Sequence, residues 1–477
     1  MCALPVATAT LPTTTTTTTS THHTGSNNKR RGIVDWNTFY KNGYPKEVIV
    51  IDDDSPAPLP PAQCTRSKRK RLHQEENPIV IPKKRVQQAE LPAANLKYPC
   101  IDDKDGHLIF RANYILKGRY KSVAELGKGT FGQVFKCKDL VFGDYVAVKV
   151  IRAVPKYREA SKIEIRVLET LKENDPSNQY QCIQLRSTFT HYDHVCMVFD
   201  MLDQSVFDFL KFNDFHPFPL AHVQEMARQI LQSVAYLHDQ KLVHTDLKPE
   251  NIMLINSASR TATVRTIENG KEQKWVKQVL LNAEIQLIDF GSATFEDEYH
   301  SSIVSTRHYR APEIILGTGW SYPCDVWSIG CVLVELYTGD ALFQTHENLE
   351  HLAMMEVVLG KFPSQIIRNA SPDAKKYFYN GRTRYPDKST SYKSREYFAD
   401  TKPLAEKISP TTQYNRLFLD LLRKMLMYDP KKRITPRQAL DHPFLHTRFD
   451  EFGHVDEPTP PPSSAEESSS SSSSFHG

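Results

Sequence analysis

The stretch that most limits what this chain can fold into is His244 Thr245 Asp246 Leu247 Lys248 Pro249 Glu250 Asn251, which sets a base, a cation and a metal ligand within one short loop. Four other strings stand around it in a fixed order. Leu126 Gly127 Lys128 Gly129 Thr130 Phe131 Gly132 Gln133 Val134 lies between two β-patterned runs, Tyr120 to Glu125 and Val134 to Lys138. The apolar run Val146 Ala147 Val148 then closes on Lys149, and alternation puts Ala147 on the face opposite its neighbours. Downstream come Asp289 Phe290 Gly291 and Ala311 Pro312 Glu313. Glycines at a tight turn let backbone amides approach phosphate oxygens. A lysine that closes a buried strand needs an anionic partner, because an unpaired buried ammonium is costly.

In this order the five strings resemble the signature of the eukaryotic protein kinases. A bare GxGxxG also marks dinucleotide folds, but here a strand follows it rather than a helix, which favours the kinase loop. The resemblance implies ATP and Mg²⁺ as cofactors. Leu126, Gly127, Gly129, Gly132, Val134, Ala147 and Lys149 are then expected around the nucleotide. Glu164 is the expected partner of Lys149, on a helix whose buried stripe is read as Ile163, Val167, Leu168 and Leu171; Glu159 and Glu169 are the alternatives. Phe199 would stand at the back of the adenine pocket, with Met201 and Leu202 in the connecting segment that follows. Phosphoryl transfer asks a protein mainly for alignment and charge neutralisation. Asp246 would accept the hydroxyl proton, Lys248 would face the migrating phosphoryl group, and Asn251 and Asp289 would be the oxygen ligands for Mg²⁺. Val223, Met226, Ala227, Ile230, Leu231, Val234 and Leu237 recur at helical steps and predict the helix that delivers this loop.

Within the kinases, HTDLKPEN, DFGSAT, STRHYRAPE and above all Glu350 to Glu356 (EHLAMME) look like the LAMMER, or Cdc-like, kinases over roughly Asp105 to Leu445. Val357 departs from the family signature, which closes with Arg; the motif reads as a packing helix, so the change bears on local packing. The resemblance implies phosphorylation of Ser and Thr in Arg/Ser-rich splicing factors, hence regulation of mRNA processing, with autophosphorylation on Tyr. Thr306 resembles the threonine that bonds the base and the lysine. Glu250 occupies the position where basophilic kinases hold a substrate arginine, against which stands a solvated loop carboxylate. Arg310 resembles the arginine whose contact below the substrate tolerates a following proline. Thr245 stands where most kinases have Arg, so activity is expected without a phosphorylated activation segment.

The 40% hydrophobic content suits a real core, but not in the flanks. A threonine run from Thr13 to Thr19 and a serine run from Ser468 to Ser474 predict disorder at both ends. The net charge of +4 is small, yet basic clusters gather in the N-terminal flank at Lys68 to Arg71 and Lys83 to Arg85. They have bipartite nuclear-import spacing, the alternative being a generic solvated basic tail. Nucleus, with cytoplasm as a second compartment, is the expected location. Val48 to Asp54 resembles a SUMO-interacting motif that adds a strand to a sheet edge, the alternatives being a chance apolar cluster or an intramolecular strand. The eight cysteines show no zinc-ligand spacing and read as reduced structural thiols. No apolar run reaches the roughly 18 residues that cross a bilayer. Neither a membrane nor a nucleic acid is expected as a partner, and a monomer is expected.

The predicted fold class is α+β, a bilobal kinase with a small β-rich N-lobe and a larger helical C-lobe. Its domain spans 105–446, split at 199/200, between a basic flank at 1–104 and a Ser/Pro-rich tail at 447–477. Two insertions, about Asn256 to Asn282 and Gly360 to Pro410, read as surface additions, the first with a hairpin strand at Val276 to Leu281. Asp325 opens an apolar helix able to anchor the catalytic loop, and Glu313 and Arg433 make a structural ion pair. Two other readings stay open: an ATP-binding pseudokinase scaffold, and a kinase of the dual-specificity tyrosine-regulated class. The latter typically has Cys at the position of Thr245.

Overall fold

The computed structural model describes residues 101–268, 271–388 and 390–456. The basic clusters, the Val48 to Asp54 segment and both homopolymer runs lie outside the described residues.

The small lobe is one antiparallel sheet of six strands in the order β1-β2-β3-β4-β6-β5. Its strands are β1 (Ile115–Leu116), β2 (Tyr120–Lys128), β3 (Gly132–Asp139), β4 (Tyr145–Ile151), β5 (Leu185–His191) and β6 (His194–Asp200). Helix α1 (Pro155–Asn174) connects β4 to β5. Period-2 alternation divides β4 cleanly: Val146, Val148 and Val150 enter a core with Phe135, Cys137 and Val198, while Ala147 and Lys149 take the other face. The stripe that α1 buries is Tyr157, Ser161, Glu164, Val167, Leu168 and Leu171. Ile163 is not part of it and is 48% exposed. Successive helix positions turn by about 100°, so Ser161, Glu164, Leu168 and Leu171 share one face and Ile163 falls beyond its edge.

The large lobe is built on α2 (Val206–Phe212), α3 (Leu220–Asp239), α4 (Pro323–Thr338), α5 (Asn348–Leu359) and α6 (Gln413–Met425). All seven apolar residues expected on the inner face of α3 are buried. The apolar helix α4 ends at Gly339, whose φ of +82° suits glycine, and a Cβ there would stand 1.9 Å from the Phe215 carbonyl oxygen. Arg433 forms the anticipated bidentate pair with Glu313 at 2.7 and 2.9 Å, both side chains almost fully buried. Removing one partner of such a pair costs about 3–5 kcal/mol. The EHLAMME motif is a packing helix, as read from sequence: Leu352, Ala353, Met354 and Met355 are buried in α5. Its glutamates hold loops. Glu350 accepts from Thr345 Oγ1 at 2.7 Å, and Glu356 accepts from the Thr383 N–H and Oγ1 at 2.9 and 2.8 Å.

Strands β7 (Leu242–Val243) and β8 (Ile252–Leu254) flank the catalytic loop. The first insertion is a long antiparallel hairpin, β9 (Ser259–Glu268) with β10 (Lys271–Leu280), extending the hairpin expected around Val276. The second holds short helices and a two-stranded turn, β13 (Phe378–Tyr379) with β14 (Arg382–Thr383); between the insertions run β11 (Ile285–Leu287) and β12 (Thr294–Phe295). The packed region passes the expected boundaries at both ends. Asp102 bonds His194 at 2.9 Å and Asp103 pairs with Lys128 at 2.8 Å, so residues 101–104 belong to the lobe. Beyond 446, Phe449 stacks edge-on to Tyr414, and the Gly453 carbonyl accepts from the Tyr414 N–H. Among the described residues no helix is long and apolar enough to cross a membrane.

Candidate active site

The roof of the interlobe cleft is the turn between β2 and β3, closed by a Gly129 N–H bond to the Gly132 carbonyl at 2.9 Å. Gly132 is required by close approach: a Cβ would fall 2.3 Å from the Val150 carbonyl oxygen. A Cβ built at Gly127 or Gly129 would meet no protein atom within 4 Å, which leaves the space beside the turn clear for a phosphate chain. Leu126 is exposed and Val134 half-buried at the two ends of this roof. Sheet register then sets the back wall, pairing Val134 with Lys149 and Ala147 with Phe199. Phe199 is buried at the end of β6, and the half-buried Met201 and Leu202 follow it.

Lys149 Nζ donates to Glu164 Oε1 at 2.6 Å and to Asp289 Oδ1 at 3.0 Å, joining sheet, α1 and large lobe at one ammonium. Glu159 instead pairs with Lys162 on the surface, and Glu169 is exposed. Burial works against the Lys149 charge, but the Asp289 and Glu164 carboxylates outweigh it and hold the ammonium above the usual lysine range. The same ammonium holds Asp289 down at about 2 against its own burial.

On the floor, α3 and β7 lead into the catalytic loop. Asp325 of α4 accepts from the His244 and Thr245 N–H groups at 2.8 and 2.9 Å, which anchors the loop as the sequence suggested. Asp246 Oδ1 accepts from Thr306 Oγ1 at 2.6 Å and from its N–H at 2.9 Å. Its Oδ2 accepts from Lys248 Nζ at 2.6 Å, and Lys248 also reaches Thr306 Oγ1 at 3.0 Å. Asn251 donates its amide N–H to the Asp246 carbonyl at 2.8 Å, a bond that does not use its own carbonyl oxygen, the atom that could ligate a cation. Asn251 and Asp289 fit a small divalent cation, since both present hard oxygens and such an ion completes its shell with water and phosphate. Among the described residues there is no cluster of three or more His, Cys, Asp or Glu that could hold a metal by itself.

Glu250 is half-buried beside Lys248, whose charge it helps to hold. Arg310 is brought beneath the substrate-facing surface, not into it. Its guanidinium is buried and donates to the Val304 and Ser305 carbonyls at 2.8 to 3.2 Å. Ser305 has φ +68°, a left-handed conformation that L-residues adopt at a cost, and these bonds hold it there. Sequence reasoning missed this strained residue, and also the Asp103–Lys128 pair on the glycine-rich turn. Both depend on contacts between distant or irregular segments that no local pattern announces.

Alignment by a clamped carboxylate, and charge neutralisation by a lysine shared between lobes, is the division of labour found in protein kinases. The protein kinase domain family matches residues 120–445. Dual specificity protein kinase lkh1 of Schizosaccharomyces pombe is 54% identical over 344 residues, covering 72% of this chain and 49% of that protein. Doa of Drosophila melanogaster is 49% identical, over 72% of this chain and 41% of its own. Human dual specificity protein kinase CLK1 is 48% identical, with coverage of 72% and 69%. The chain thus spans about half the length or less of the first two. A crystal structure of a kinase domain superposes with TM-score 0.66 at 36% identity, over 72% of this chain and all of that one. The chain belongs to the protein kinase family and, within it, to the LAMMER, or Cdc-like, dual-specificity kinases.

Proposed function

We propose that the chain transfers the γ-phosphoryl group of ATP to serine and threonine in basic, Arg/Ser-rich proteins, splicing factors among them, and to tyrosine on itself, with Mg²⁺ as the working cation. The observation that carries this reading is the Asp246 carboxylate, clamped on one oxygen by Thr306 and on the other by Lys248. A carboxylate so fixed can orient an incoming hydroxyl and take its proton as the oxygen becomes a nucleophile. Lys248, charged at the same position, faces the oxygens of the group in flight. Bound divalent metal supplies charge neutralisation on the phosphates, and Asn251 and Asp289 are the residues that would hold it. Lys149, kept cationic by Glu164 and Asp289, would orient the non-transferred phosphates. An inactive scaffold lacks support here, because each of these groups is present and paired with the others.

The half-buried Glu250 carboxylate supports a preference for arginine near the acceptor, where a charge-assisted bond would form. The basic clusters at Lys68 to Arg71 and Lys83 to Arg85 support work in the nucleus, where such substrates reside. The test is phosphate transfer to an Arg/Ser peptide and to myelin basic protein by wild type and by Asp246→Asn. We expect the variant to bind nucleotide normally and to lose roughly 10²–10⁴-fold in kcat. Equal turnover by the two proteins would overturn the role of Asp246, and no preference for arginine in a peptide library would overturn the substrate class.

A further inference from the structure

The large lobe carries a second concavity, a cleft of about 1010 Å³ between the start of α5 and the second insertion. Five cations line it: Arg307, Lys376, Arg384, Lys388 and Arg395. Only two carboxylates, Glu347 and Asp387, share the same walls. Four of them belong to residues 376–395 of the second insertion, and the fold brings these to Arg307 of the activation segment. All but Arg307 are exposed. Arg384 lies over the Tyr379 ring at 5.5 Å, Arg395 donates to the Asp387 carbonyl at 3.2 Å, and Lys376 stands 3.9 Å from the exposed Asp373.

Arg307 ties this cleft to the chemistry. It directly follows Thr306, which bonds Asp246, and its guanidinium donates to Asn348 Oδ1 at 2.9 Å on the cleft wall. A substrate whose hydroxyl meets Asp246 lies against the segment that carries both Thr306 and Arg307, and Arg307 is on the cleft wall. Guanidinium and ammonium groups clustered this way suit a phosphate, which carries a charge of about −2 and several strong acceptors. They repel the arginines of an unmodified Arg/Ser segment. They attract the same segment once one of its serines has been phosphorylated.

We propose that this cleft is a subsite for a phosphoserine close to the acceptor in the substrate chain, so that one transfer to a multisite substrate promotes the next at a neighbouring serine. The inference rests on the Arg/Ser substrate reading above. It is tested with the full chain and a set of Arg/Ser peptides with one acceptor serine, every other serine being alanine. Phosphoserine replaces alanine at each position within three residues of the acceptor in turn. At one position kcat/KM should rise roughly tenfold over the alanine control, through KM, the size of one or two charge-assisted contacts at an exposed site. In the double variant Arg384→Ala/Lys388→Ala this gain should shrink to about twofold or less, with the control peptide's kcat/KM unchanged. The proposal is overturned if no position shows a gain, or if the gain survives in the double variant. Turnover of the control peptide tests the substrate reading by itself. Were neither peptide turned over, fluorescence anisotropy of the labelled phosphopeptide would still decide: tighter binding by wild type than by the double variant sustains the subsite, and equal binding removes it. Displacement of that peptide by oligouridylate at equal phosphate concentration would show a general polyanion site and overturn the proposal.

Discussion

The three glycines of the cleft roof have different reasons to be glycine, and the difference can be measured. Gly132 is packed against the backbone of β4, where a Cβ would stand 2.3 Å from the Val150 carbonyl oxygen. Backbone cannot swing aside as a side chain would. Gly132→Ala should therefore cost about 1–3 kcal/mol of stability, read as a lower Tm without nucleotide. A methyl at Gly127 or Gly129 meets no protein atom within 4 Å. Gly127→Ala and Gly129→Ala should leave the Tm close to wild type and raise the KM for ATP, because the phosphates are what a methyl there would crowd. A fall in Tm for all three variants alike would mean that the roof is held by turn conformation, not by the contact at Gly132. All three glycines are plain in the sequence as one motif, while the contact that separates them comes from the pairing of β3 with β4.

At the scale of elements, the activation segment from Asp289 to Glu313 is held by contacts that need no phosphate. Thr245 Oγ1 donates to the Ser292 carbonyl at 2.8 Å at its start. Midway, Trp320 Nε1 donates to the Ser301 carbonyl at 2.7 Å, and its ring stacks on His300 with centroids 4.2 Å apart. Arg310 fixes the Val304 and Ser305 carbonyls near its end. An arginine at position 245 would bring a buried charge that needs a phosphate; threonine satisfies itself on backbone. We expect enzyme stripped of phosphate by a phosphatase, with the treatment verified by mass spectrometry, to keep at least about half of its kcat/KM, a loss of no more than roughly 0.4 kcal/mol. Loss of nearly all turnover would show that the segment depends on a modified Ser301, Ser302, Ser305 or Tyr309. The identity of the segment was readable from its bounding triplets, and the absence of an arginine demand from Thr245. Its fastening was not, because Trp320 and Ser292 look like ordinary loop residues until the fold brings them to their partners.

At the scale of the whole molecule, the same contrast runs between patterned and unpatterned contacts. Both lobes, the delivery helix α3, the anchor at Asp325 and the Glu313–Arg433 pair follow from periodicity and motif. The inward stripe of α1 does not, because two of its members, Ser161 and Glu164, are polar and an apolar reading substitutes Ile163 for them. Nor do the ends at 101–104 and 447–456, which are secured by single polar and aromatic contacts rather than by a run of apolar residues. What joins the lobes at the site is one ammonium, Lys149, placed between Glu164 above and Asp289 below. Asp289 is held at about 2, below the ordinary carboxylate value of 3.8 that it regains on unfolding. A depressed carboxylate contributes stability that is present above its unfolded value and is lost as pH falls through its folded value. The window is thus from about pH 4 down to about pH 2. In Lys149→Met the two carboxylates lose their common cation, and burial with mutual repulsion raises both, so this source of acid sensitivity disappears. The difference in Tm between wild type and Lys149→Met should be largest above pH 4 and should narrow steadily as the pH is lowered toward 2. A difference that stays constant across that range would mean that Asp289 keeps its low pKa without Lys149, and that the lobes are joined by something other than this charge.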